Sequence, residues 1–91
     1  MHACGHDVHT ASLLGSAMIL NQLRENFEGT LKLIFQPGEE LLPGGASLMI
    51  KEGVLKPQST TSAPKSIIGQ HVMPLLEVGK IGFREGLYMA S

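Results

Sequence analysis

The hydrophobic positions of this chain fall into segments of different period. Over residues 7–25, Leu13, Leu14, Ala17, Met18, Leu20 and Leu23 recur at helical spacing and give a broad apolar face. This spacing predicts a helix, with Asp7 or Thr10 placed to cap its start and Gly15 and Ala17 small enough for close packing. After a turn at 26–29, Thr30-Leu31-Lys32-Leu33-Ile34-Phe35 is almost continuously apolar, the pattern of a central strand covered on both faces. Pro37 and Gly38 end it. Gly44-Gly45 then opens a short helix over about 46–52, and Gly53 stands where a helix C′ residue belongs. Residues 56–65 are polar and bracketed by prolines, hence a surface loop without chemistry. Residues 66–72 and 78–84 read as two further strands.

Together these elements predict an α/β layer of three or four strands, with a long helix packed on the sheet and a shorter second one. A chain of 91 residues makes at most one small domain, which buries about 60–65% of the surface of its unfolded state. With one tyrosine, three phenylalanines and no tryptophan, its core is thin. A single cysteine leaves no internal disulfide to compensate.

Charge removes two classes of partner. A net charge of -1 and a pI near 6.4 give no basic surface for nucleic acid and no polybasic anchor for a membrane. No apolar run approaches the ~20 residues of a membrane span, and the first residues lack the regions of a signal peptide, so a cytoplasmic location is expected.

The candidate chemistry gathers at element ends. Met1-His2-Ala3-Cys4-Gly5-His6-Asp7-Val8-His9-Thr10 holds the only cysteine and three of the four histidines. Cys4 and His6 flank one glycine, so in extended backbone both side chains project from one side and can close on one ion. The following helix would lower the thiol pKa through its dipole. A lone Cys-x-His is more commonly a reactive or buried thiol beside surface histidines, so further ligands are needed. Glu39 and Glu40 follow the strand at 30–35, where open α/β sheets place their sites. Adjacent side chains diverge, leaving one carboxylate for metal and one for water. His71, at the end of the strand at 66–72, is the fourth candidate, although a single histidine there is more often structural. His9 reads as an exposed helix histidine with the site as the alternative, and His2 as peripheral.

Assembled, Cys4, His6, Glu40 and His71 would ligate metal and Glu39 would act as base. The chemistry is metal-assisted hydrolysis, in which a divalent ion lowers the pKa of water toward ~7 and polarises a scissile carbonyl. Thiolate and imidazole suit zinc; the carboxylate keeps manganese, cobalt and nickel open.

Three motifs in this order, residues 1–11, Gln36-Pro37-Gly38-Glu39-Glu40 and Gly69-Gln70-His71-Val72-Met73-Pro74, closely resemble the amidohydrolase branch of the M20 metallopeptidase family. The resemblance spans nearly the whole chain. It implies a zinc-exopeptidase-like catalytic domain, a three-layer mixed sheet with flanking helices, and hydrolysis of N-acyl amino acids, hippurate or auxin conjugates. It implies two metal ions, with the cysteine position as the bridge, Cys4, His6, Glu40 and His71 as ligands and Glu39 as the catalytic carboxylate.

Family members are several times longer, so residues 1–91 are expected to form a central part of the catalytic domain, without the lid domain or the family's last histidine ligand. Three outcomes remain distinct. A complementing chain, or another copy, could complete a working hydrolase; the chain could bind metal without turnover; or it could be a folded remnant. For the isolated chain, inactivity is expected.

Overall fold

The computed structural model describes residues 3–86. Among them the backbone forms α1 (His6–Gln22), a single 3-10 turn (Arg24–Asn26) and α2 (Gly45–Lys51). Both helices lie close to the expected ranges, α1 from the hydrophobic spacing and α2 between its glycines, although α1 ends at Gln22 and the 3-10 turn takes up most of the remaining residues expected to be helical.

The start of α1 differs from the expectation. Its N-cap is Gly5, in the left-handed conformation at φ 72°, and no side chain caps it. Thr10 lies inside the helix, where its hydroxyl donates to the His6 carbonyl at 2.9 Å. Asp7 occupies the first turn, where a carboxylate favours the helix dipole. Leu13, Ala17 and Leu20 are half-buried, whereas Leu14 and Met18 remain exposed. Ala17, Leu20, Phe27, Leu31 and Leu33 line an open groove of about 210 Å³ between α1 and the segment that follows it. No atom beyond its own helix approaches the Cβ position of Gly15 within 4 Å, so the close packing expected there is absent.

Helix α2 is fixed at both ends. The Gly53 amide donates to the Ile50 carbonyl at 3.0 Å and the Val54 amide to Met49 at 2.9 Å, with Gly53 at φ 88°. This is a Schellman motif, in which glycine supplies the left-handed residue that closes the helix. At the other end Gly45 is buried against the Pro37 carbonyl, and its amide donates to the Gly38 carbonyl at 3.3 Å. Lys32 Nζ donates to the Val54 carbonyl, tying residues 30–35 to the far end of α2.

Among the described residues no two segments pair as strands. The single β-bridge, Gln58 with Thr61, closes a tight turn in the polar loop. Leu31, Leu33 and Phe35 are about half exposed, and Ile68, Ile81 and Phe83 are more than nine-tenths exposed. A strand exists only beside a partner, so segments with strand composition stay unpaired where none lies alongside. The accessible surface is 8605 Å², where a compact monomer of this mass would expose about 5,100 Å². The radius of gyration is 15.2 Å, against about 12 Å for a compact domain of this length. No helix among the described residues is long and apolar enough to cross a membrane.

Candidate metal centre

Three segments far apart in sequence meet at the start of α1. The first is Cys4-Gly5-His6 with His9 one turn further along the helix, the second carries Glu39 and Glu40, and the third carries His71 and Val72. The glycine between Cys4 and His6 lets the third approach: a β-carbon on Gly5 would lie 2.6 Å from Val72 Cγ2. The second is held by its loop, where Leu41 donates to the Gly38 carbonyl at 3.3 Å and Gly44 to the Leu41 carbonyl at 2.7 Å.

Two donor sets result. One ligand atom each from Cys4, His6 and Glu40 lie within 4.8 Å of one another, as do one each from His6, His9 and His71. His6 belongs to both. His6 Nε2 stands 3.8 Å from Glu39 Oε2 and 3.9 Å from Glu40 Oε1, too far for direct hydrogen bonds. Donors on a tetrahedral zinc ion stand about 3.3–3.6 Å apart, given bonds of ~2.0–2.3 Å. A closure of well under an ångström would therefore bring these His6 and Glu40 atoms to ligand spacing.

The electrostatics of the first set also call for a cation. A hydrogen bond with Glu40, then the Glu40 charge, then partial desolvation and the Glu39 charge push the Cys4 thiol above its ordinary pKa. This reverses the expectation that the helix dipole would lower it, because carboxylates opposite the sulfur outweigh the helix end. A divalent ion among thiol, imidazole and carboxylate would offset that repulsion. The donor set thus fits the metal implied by the sequence.

The histidines are arranged so that their ring nitrogens have separate tasks. His71 Nδ1 lies 2.6 Å from the Val72 carbonyl, which can only accept, so Nδ1 carries the proton and Nε2 is left as the free donor to a metal. The Val72 amide donates to His9 Nε2 at 3.0 Å. The rings of His9 and His71 meet edge to face with centroids 4.4 Å apart; His6 and His71 are 6.0 Å apart and His6 and His9 5.5 Å. Partial burial, followed by the neighbouring His71 and His6, pushes His9 below its ordinary pKa, with Asp7 opposing.

The structure therefore brings Cys4, His6 and Glu40 together, places Glu39 beside them, and sets His71 against His6 and not in the set of Cys4 and Glu40. His2 lies outside the described residues. His9, read from sequence mainly as an exposed helix residue, is half-buried at the centre of the histidine cluster. Its signal was the three-residue spacing from His6, which puts both on one helix face. Cys4, Glu39, Glu40 and His71 are exposed, so the cluster opens to solvent.

Comparison with known proteins bears on the family of the chain. Over all 91 residues the chain is 50% identical to an N-acetylcysteine deacetylase of Bacillus subtilis (strain 168), covering 22% of that protein. It is 47% identical over its whole length to an N-acyl-L-amino acid amidohydrolase of Geobacillus stearothermophilus, covering 23%. To an IAA-amino acid hydrolase of Arabidopsis thaliana it is 46% identical, again over its whole length, covering 19%. The chain thus spans about a fifth of the length of these curated relatives. No solved structure matches it. The family model for peptidase family M20/M25/M40 matches residues 1–86, which include every residue of the cluster, and the chain belongs to that family.

Proposed function

We propose that these residues form the metal-binding and proton-transfer part of a hydrolase that cleaves the amide bond of N-acyl amino acids. The observation that carries the reading is the meeting of Cys4, His6 and Glu40, drawn from two distant segments, with His71 from a third set against His6. The names of the relatives support the substrate class: an N-acetylcysteine deacetylase, an N-acyl-L-amino acid amidohydrolase and an IAA-amino acid hydrolase. The exposed strand-like segments support completion of a three-layer mixed sheet by further strands, supplied by the rest of a longer chain, a complementing chain or a second copy.

Cys4, His6, Glu40 and His71 would hold the metal, two ions by family resemblance, with zinc, manganese, cobalt and nickel all compatible with the donors. Bound there, a divalent ion supplies Lewis acidity and lowers the pKa of the attacking water. Glu39, beside His6 but outside the donor set of Cys4 and Glu40, takes the proton of that water as its oxygen adds to the amide carbon. As the carbon–nitrogen bond breaks, Glu39 returns the proton to the departing amine. The products are a carboxylate and a free amino acid.

The test is release of free amino acid from an N-acetyl amino acid by the whole protein, before and after chelation and with divalent metal restored. Loss on chelation and recovery with metal are expected; full activity in the chelated protein overturns the metal reading. A second reading, metal binding without turnover, applies to the 91-residue chain alone, because Cys4, Glu39, Glu40 and His71 stand open to solvent and no described residue covers them.

A further inference from the structure

The imidazole of His9 has no part in the sequence-derived ligand set, yet among the described residues it joins α1 to the segment that carries His71 by a side-chain hydrogen bond. The Val72 amide donates to His9 Nε2 at 3.0 Å. A nitrogen that accepts from a peptide N–H has its lone pair committed, so His9 cannot offer Nε2 to a metal at the same time. The next peptide atoms act on His71 itself: the Val72 carbonyl receives the His71 Nδ1 proton. One residue, Val72, is thus held by its amide from His9 and by its carbonyl orients His71.

We infer that His9 is a positioning residue, whose Nε2 anchors the Val72 peptide and thereby sets the height and ring orientation of His71 against His6. Gly5 completes the contact, since only a residue without a β-carbon admits Val72 at this distance. The edge-to-face contact of His9 with His71, centroids 4.4 Å apart, limits rotation of the His71 ring about the same point. Groups that orient a metal-ligating histidine contribute ~10–100-fold to metal affinity without touching the ion. The inference rests on His71 being a ligand only for its metal consequence; the hydrogen bond stands without it.

Two variants separate positioning from ligation and packing. His9→Ala removes the acceptor, whereas His9→Gln places an amide oxygen at nearly the reach of Nε2 and restores acceptance without an imidazole. In the whole protein, zinc and cobalt(II) titrations should show ~10–100-fold weaker binding in His9→Ala and near-native binding in His9→Gln, with the cobalt–thiolate absorption of Cys4 retained in both. In the metal-free protein, exchange protection of the Val72 amide should fall in His9→Ala and persist in His9→Gln. Glutamine as weak as alanine in the titrations, or unchanged Val72 protection in His9→Ala, overturns the inference. If the unsubstituted protein binds neither metal, the metal reading falls, and the Val72 amide alone decides the role of His9.

Discussion

Gly5 and Val72 meet at a point where Gly5 could not gain a side chain without displacement: a β-carbon on Gly5 would lie 2.6 Å from Val72 Cγ2, and Gly5 holds φ 72°. Left-handed backbone costs a residue with a side chain ~1–2 kcal/mol, before any overlap is counted. Gly5→Ala should therefore lower stability by about 1–3 kcal/mol and weaken metal binding, since it separates His71 from His6. Thermal unfolding with zinc titration checks this; a variant that binds zinc as tightly as the unsubstituted protein would show that the two segments can move apart freely. Gly15→Ala is the contrast. With open space at its Cβ position and helical backbone, it should stabilise the chain by about 0.5–1 kcal/mol.

Gly45 serves the carboxylates as Gly5 serves the histidine. A β-carbon there would stand 1.5 Å from the Pro37 carbonyl oxygen, a backbone atom that cannot rotate away. Gly45→Ala must shift α2 from the loop that carries Glu39 and Glu40, although it touches neither. Loss of metal affinity together with a stability loss of about 1–3 kcal/mol or more is the expected outcome. Calorimetric zinc titration showing unchanged affinity would dissociate the loop from the site.

The uncovered surface predicts association. The chain exposes 8605 Å², and the excess over a compact monomer of ~5,100 Å² is larger than a standard protein interface of ~1,600 Å². Ile68, Ile81 and Phe83 contribute whole side chains to it. At high concentration the 91-residue chain should self-associate and bind an apolar dye. Sedimentation as a strict monomer across that range would contradict it, and Ile81→Lys with Phe83→Glu should reduce association.

What could be read from the sequence follows the range of the interactions involved. The helices were legible because their hydrogen bonds and their stops, such as Gly53, are local. The cap of α1 is not legible: Asp7 and Thr10 have capping side chains, but a left-handed Gly5 starts the helix at His6, ahead of both. Residues 30–35 have strand composition, yet pairing is a property of two segments and leaves no trace in one. The residue types of the site were legible from their rarity. The pKa of Cys4 was not, because it depends on Glu40, distant in sequence, and His9 was undervalued because its partner is a backbone amide that carries no sequence signal.

The first set gives Cys4 a specific prediction. Its sulfur belongs with His6 and Glu40, whereas His2 lies outside the described residues and was assigned no ligand role. Cys4→Ser should weaken zinc binding strongly, since a hydroxyl neither ionises near neutral pH nor matches the softness of a thiolate. His2→Ala should leave binding almost unchanged. Equal losses in parallel titrations would remove Cys4 from the ligand set.

The two adjacent glutamates are nearly equidistant from His6 Nε2, 3.8 Å for Glu39 and 3.9 Å for Glu40, so distance to histidine does not separate their roles. Convergence does: Glu40 shares a donor set with Cys4 and His6, and Glu39 does not. Glu39→Gln keeps nearly the same shape but can neither take the water's proton nor return it to the leaving amine. In the whole protein it should retain metal and lose about 10²–10⁴-fold in turnover. Glu40→Gln removes a charged ligand, so metal content should fall, with activity declining alongside it and recovering partly when metal is added in excess. Metal analysis and N-acetyl amino acid hydrolysis on both variants distinguish the two cases. Metal lost from Glu39→Gln and kept by Glu40→Gln would exchange the roles, placing Glu39 on the metal and Glu40 on the proton.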